Sequence, residues 1–254
     1  MNDTNKLIII YGIAKGIQFL HRLNITHRDL NPNNIVFNSQ NYPLICDLGA
    51  SRQISKFHVV DGTFVGTPAY LSPEMFLEDI TTDIFLPTDI FSFGTIIYNL
   101  LTNERPYEKE IKQLKLFSLK EFLLSGNRIK LPDTIPSWFR YLIELCWKQN
   151  PEERPTIDDI VNLFDSGIVL PKIYDDFEES KRYLAYQNDY LHLDNKKTDA
   201  CSLIEWRDRL LKDSRTKEIS LVIDFMLADY FHISDLNLNI FQIKICQLLE
   251  RQKS

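Results

Sequence analysis

Apolar residues recur at helical spacing near the start of the chain. Ile10, Ile13, Ala14, Ile17 and Leu20 follow the i, i+3, i+4 rule, which predicts an amphipathic helix over residues 5–23. The pattern then breaks into ITHRDLNPNNIVF, residues 25–37: a polar loop closed by a short apolar strand. NSQN at 38–41 has turn composition and YPLIC at 42–46 reads as a second strand, so the two strands should pair as a small hairpin. Residues 47–74 carry Gly49, Gly62, Gly66, Pro68 and Pro73 and predict a long irregular segment, which in a compact domain is ordinarily functional. PTDIFSFGTIIYNLLT, residues 87–102, is apolar nearly all round and predicts a buried central helix with Pro87 in its first turn. Further helices are expected over 108–125, 136–148 and 155–165.

From residue 166 the character changes. Charge and tyrosine become dense, and 203–212, 216–231 and 235–250 read as amphipathic helices without an internal repeat. The expected organisation is a mainly α domain with a small β-hairpin over 1–165, followed by a helical tail of unknown function over 166–254.

Composition narrows the function classes. The 254 residues are 44% hydrophobic, enough for a sizeable core. A net charge of -6 gives no reason to expect nucleic acid or an anionic membrane as partner. The apolar run from Leu7 to Ile13 is too short to span a membrane and lacks the flanks of a secretory signal. Four widely spaced cysteines form no C-x-x-C pair, which argues against structural zinc and for reduced thiols in a cytoplasmic protein.

The chemistry concentrates in the polar loop. Asp29, held in a rigid loop, can accept a proton or orient a hydroxyl, and Asn34 can offer a neutral oxygen to a hard cation. After the second strand, Asp47 can add the charged oxygen that magnesium prefers, while Gly49 lets the backbone turn sharply. Two carboxylates and an amide oxygen converging across a hairpin make a metal–phosphate site.

HRDLNPNN (27–34) resembles the catalytic loop of eukaryotic protein kinases, and DLG (47–49) resembles D-F-G with leucine for phenylalanine. GTPAYLSPE (66–74) is similar to the end of an activation segment, DIFSFG (89–94) to the start of the buried central helix, and CWKQNPEERPT (146–156) to the segment supplying a late arginine. These five motifs occur in family order across residues 5–165 and resemble the C-terminal lobe of a serine/threonine kinase, in the tyrosine-kinase-like branch.

The resemblance implies roles. Asp29 would be the catalytic base, Asn34 and Asp47 the ligands of Mg²⁺ and ATP, and Thr67 a neighbour of the acceptor hydroxyl. Arg28 would read a phosphate on the activation segment, with Thr63 as the phosphosite, and His27 would be structural. Asp89 would hold the catalytic loop from below, and Glu74 with Arg154 would form a buried ion pair.

Two departures qualify this. Asn31 stands where the family has a lysine that donates to the transferring phosphate, which keeps a donor but loses the full charge. The eight glycines contain no G-x-G, and Lys15 lies in a helical pattern close to Asp29, so no N-terminal lobe is expected in this chain. The apolar floor of the cleft would then be open and would favour self-association. Two functions follow: phosphoryl transfer from Mg-ATP to protein hydroxyls by a truncated kinase, or an inactive kinase-like scaffold binding partners through the lobe and the tail.

Overall fold

A computed structural model describes residues 3–39, 41–53, 66–77, 85–108 and 115–165. The chain divides into two compact units, Met1–Val161 and Asn162–Ser254, and the described residues belong to the first except for 162–165. The tail helices expected after 166, and Thr63, lie outside the described residues.

Helix α1 runs Asp3–Arg22 and buries Leu7, Ile10, Tyr11, Ala14 and Ile17. It packs on the hairpin formed by β2, Ile35–Phe37, and β3, Pro43–Ile45. The hairpin is antiparallel, with Ile35 opposite Ile45 and Val36 opposite Leu44. Ile45 and Pro43 turn toward the core while Val36, Leu44 and the following Leu48 stay 40–51% exposed, an apolar face left on the hairpin. A second pairing was not foreseen: β1, Ile25–Thr26, runs antiparallel to β4, Arg52–Gln53. Two residues per strand leave no periodicity to read.

Helix α2, Phe85–Thr102, is the central element expected from its continuous hydrophobicity. Phe91, Phe93, Thr95 and Ile97 are fully buried although they point in different directions around the helix. It begins two residues before the expected start, so Pro87 falls in the first turn, where its missing N–H has no helical partner to lose. Against it packs α4, Ser137–Cys146. Gly94 permits this approach: a Cβ there would lie 2.6 Å from the Cys146 Cβ. Beside that contact, Trp147 Nε1 donates to Thr95 Oγ1 at 3.0 Å.

Helix α3 is described over Lys115–Leu124, and α5 runs Ile157–Asp165. The α5 start is set by a capping box. Asp159 N donates to Thr156 Oγ1, and Thr156 N donates back to Asp159 Oδ2 at 3.1 Å.

Candidate active site

The loop between β1 and β2 is suspended from a single buried carboxylate. Asp89, in the first turns of α2, is fully buried. Its oxygens accept the His27 amide at 2.8 Å, the Arg28 amide at 3.0 Å, the Thr26 hydroxyl at 3.2 Å and the His21 ring at 3.0 Å. A buried carboxylate is tolerated only when its lone pairs are filled, and here four donors from α1, β1 and the loop fill them. Arg28 takes a left-handed backbone, φ 68°, which turns the chain so that consecutive amides face the same carboxylate.

Above this anchor the loop turns through a 3₁₀ segment, Pro32–Asn34, capped by the Asn31 side chain on the Asn33 amide at 2.9 Å. The turn brings Asn31 and Asn34 onto Asp29, and Thr67 joins them from a distant part of the chain. Asp29 Oδ1 accepts from the Thr67 amide at 2.8 Å, the Thr67 hydroxyl at 2.9 Å and Asn31 Nδ2 at 2.9 Å. Asp29 Oδ2 accepts from Asn34 Nδ2 at 3.0 Å. The carboxylate is only half-buried, so its orientation is held while solvent retains access. His27 supports the loop from inside: Nε2 lies 3.0 Å from the Cys46 carbonyl, which assigns it the proton, and Nδ1 accepts the Asp29 amide.

Thr67 reaches Asp29 because of the residue before it. Gly66 has φ 118°, and a Cβ there would sit 2.9 Å from the Arg28 carbonyl and 2.6 Å from Leu71. No L side chain fits that conformation in that space. Only the position of Gly66 immediately before Thr67 hinted at this in the sequence.

Asn31 stands where the family has a lysine, keeping a donor without the full charge. It is 2% exposed, and its amide nitrogen donates inward to the Asp29 carbonyl, Asp29 Oδ1 and Thr67 Oγ1. The short, neutral amide is satisfied within the loop and does not need to extend toward solvent.

Asp47 stands apart from this cluster in its hydrogen bonding. It is exposed, and its Oδ1 accepts the Gly49 amide at 3.1 Å, capping a 3₁₀ turn over Leu48–Ala50. Gly49 was expected to supply the sharp bend. The left-handed residue is Asp47 itself, with φ 60°, an option open to aspartate because its side chain bonds the local backbone. Gly49 contributes space: a Cβ there would lie 3.1 Å from Asp47 Oδ1.

The donor set suits a hard divalent cation. Asn34 uses its NH₂ on the Asp29 carbonyl and carboxylate, so its remaining ligand atom is the neutral oxygen, and Asp47 adds an exposed charged one. Among the described residues no cluster of three or more His, Cys, Asp or Glu is present, so phosphate oxygens and water would complete such a shell.

Arg28 is buried, and burial pushes its pKa below the ordinary value. The nearby Arg52 charge acts in the same direction and Asp89 opposes both. Glu74 and Arg154 form a buried bidentate pair, Nη1–Oε1 at 2.5 Å and Nη2–Oε2 at 2.7 Å. Arg154 also donates to the Lys148 and Pro87 carbonyls, which ties the segment before α5 to α2. Its guanidinium and that of Arg128 both lie over the Phe91 ring, 5.2 and 5.1 Å from the centroid.

The family model for the protein kinase domain matches residues 2–163. A probable serine/threonine-protein kinase of Dictyostelium discoideum is 35% identical over 158 residues, which is 62% of this chain and 11% of the relative. The RGS domain-containing serine/threonine-protein kinase A of the same organism is 30% identical over 66% of this chain and 14% of its own length. The mitogen-activated protein kinase kinase kinase zak-1 of Caenorhabditis elegans is 31% identical, over 66% of this chain and 22% of the relative. The chain thus spans less than a quarter of the length of each of these relatives.

Proposed function

The chain belongs to the protein kinase family, and from that premise we propose that it takes part in phosphoryl transfer from Mg-ATP to serine and threonine hydroxyls of proteins. The carrying observation is the Asp29 carboxylate, aimed by Asn31, Asn34 and Thr67 through four hydrogen bonds yet half open to solvent. Asp29 Oδ2 has one protein donor against three on Oδ1, and it is the atom we assign to the incoming hydroxyl. Asp29 would orient that hydroxyl and take its proton as the oxygen bonds to the γ-phosphorus of ATP and the bond from that phosphorus to the departing ADP breaks. The Thr67 hydroxyl, already hydrogen-bonded to the same carboxylate, supports a hydroxyl-accepting role. Asn34 and Asp47 would hold magnesium, which neutralises phosphate charge when bound. Asp89 keeps the loop in register, and Glu74 with Arg154 holds the chain that follows Thr67.

We read residues 1–165 as the lobe that carries the catalytic loop, with Val36, Leu44 and Leu48 as the apolar floor on which a nucleotide and a second lobe would rest. The CWKQNPEERPT segment supports the tyrosine-kinase-like branch. Arg28, with the Arg52 charge beside it, supports a phosphate-reading pocket for Thr63; mass spectrometry of the cellular protein finding Thr63 unmodified would remove that role. Free Cys46 and Cys146 accord with a cytoplasmic location.

The scaffold reading draws on one observation. Asn31 turns inward, and no cationic side chain lies between Leu30 and Asn34 to meet a transferring phosphate. Transfer of labelled phosphate from Mg-ATP to serine peptides, by the full chain and by Asp29→Asn, separates the two. Catalysis predicts transfer that falls with the substitution. A full chain that binds partner proteins but neither binds Mg-ATP nor transfers phosphate is a scaffold.

A further inference from the structure

Immediately beside Thr67 the surface opens into a pocket of about 500 Å³. Pro32 of the catalytic loop, Ala69 and Pro106 give it apolar walls, and Tyr70 stands at its side. The pocket therefore begins where the Asp29 cluster ends, since Thr67 belongs to both. A protein segment that brings a hydroxyl to Asp29 must lay its neighbouring residues across this opening. At roughly 3.3 Å per extended residue, a pocket of this size lies within two or three positions of the hydroxyl.

Its charge is selective. Arg105 on the pocket wall is exposed and makes no ion pair among the described residues. Its position near Tyr70 is visible in the phenol. Burial pushes Tyr70 up to about 12, and the Arg105 charge pulls in the opposite direction. The adjacent Glu104 is occupied, accepting the Tyr98 hydroxyl at 3.0 Å. Glu108, the other charged wall residue, is half-buried and has an interaction of its own. Arg105 is thus the exposed cation of the wall, in a recess that Pro32, Ala69 and Pro106 line with apolar surface and Asn33, Asn99 and the half-buried Glu108 line with polar groups.

We propose that this pocket selects the protein substrate, taking an aspartate or glutamate side chain near the phosphorylated residue onto Arg105. The assignment rests on the reading of Asp29 as the catalytic base, and it makes Arg105 a specificity-determining residue. Arginine suits the task because its planar fork meets a carboxylate through two parallel hydrogen bonds.

The test uses the full chain and three fluorescein-labelled peptides of about ten residues. Each has one serine in an alanine–glycine background, flanked on both sides by aspartate, alanine or arginine. Affinity is read by anisotropy without nucleotide at low and at physiological salt. The aspartate peptide should bind roughly fivefold tighter than the alanine peptide, and added salt should shrink the difference. Arg105→Gln should abolish the preference and Arg105→Glu should invert it toward the arginine peptide. Arg105 is exposed, so both variants should fold, which a thermal melt checks. Equal affinity for all three peptides, or a preference for aspartate that survives in Arg105→Glu, overturns the proposal. A parallel assay with Mg-ATP keeps the two readings apart. Charge-selective binding without transfer leaves the pocket standing and removes catalysis; transfer without charge preference does the reverse.

Discussion

Asp29 and Asp89 are the same residue type, and each accepts four hydrogen bonds, yet they do opposite work. Asp89 has no exposed surface, and two of its donors are backbone amides of the loop that carries Asp29. Asp29 is half-open, and three of its four bonds come from side chains of Asn31, Asn34 and Thr67. Backbone donors under a sealed carboxylate fix where the loop is. Side-chain donors around an open carboxylate fix how one functional group is aimed and leave room for another partner. The difference lies in the surroundings rather than the residue: Asp89 sits in the core end of α2, whereas Asp29 sits on the loop that α2 holds.

That contrast can be broken from either side. The largest effect is expected from Asp29→Asn, which keeps the shape but removes the proton acceptor. Transfer to serine peptides should fall by about 10² to 10⁴, while urea melts shift by only about 1 kcal/mol because water reaches the half-open site. A variant that unfolds, or one that transfers phosphate normally, would place Asp29 with Asp89 as a structural residue. The reciprocal substitution, Asp89→Asn, turns an NH₂ toward a site lined by amide donors and strands one of them. It should cost about 3–5 kcal/mol of stability, with activity falling as the folded fraction falls. Equal stability of Asp89→Asn and the parent chain would end the distinction.

Gly66→Ala sharpens the comparison at the point where Asp29 receives Thr67. The positive φ and the nearby Arg28 carbonyl predict a loss of about 1–3 kcal/mol, together with a drop in kcat as Thr67 leaves Asp29. A crystal structure of the variant with Thr67 still on Asp29 would count against that link. The smallest effect concerns Cys146, which is fully buried with its thiol pushed up to about 12 by burial. Well below pH 9 folded and unfolded chains both keep this proton, so this thiol adds no pH dependence there. Between pH 9 and about 12 the unfolded thiol loses a proton that the folded one keeps, so stability should fall as pH rises. Cys146→Ala should reduce that slope without abolishing it, because the Tyr70 phenol is also pushed up to about 12, and maleimide at pH 8 should label Cys46 well before Cys146.

Much of this molecule is written locally. The periodicity of residues 5–23, the unbroken hydrophobicity of 87–102 and the NSQN turn each specify an element from neighbouring residues alone, and α1, α2 and the hairpin formed there. The order of HRDLNPNN, DLG, GTPAYLSPE, DIFSFG and CWKQNPEERPT carried the family, because motif spacing is a property of the chain. The sequence alone did not say which way Asn31 would face, that Asp47 rather than Gly49 would take the left-handed turn, or that β1 would pair with β4. Nor did it join His21 to Asp89, or Gln18 to Asp158 at 2.5 Å across 140 residues. Local propensity acts over a few residues, whereas these choices depend on which donors the packed chain leaves for each buried polar group. Only the tertiary structure decides that, because burial makes every unfilled hydrogen bond costly and so selects the partner within reach.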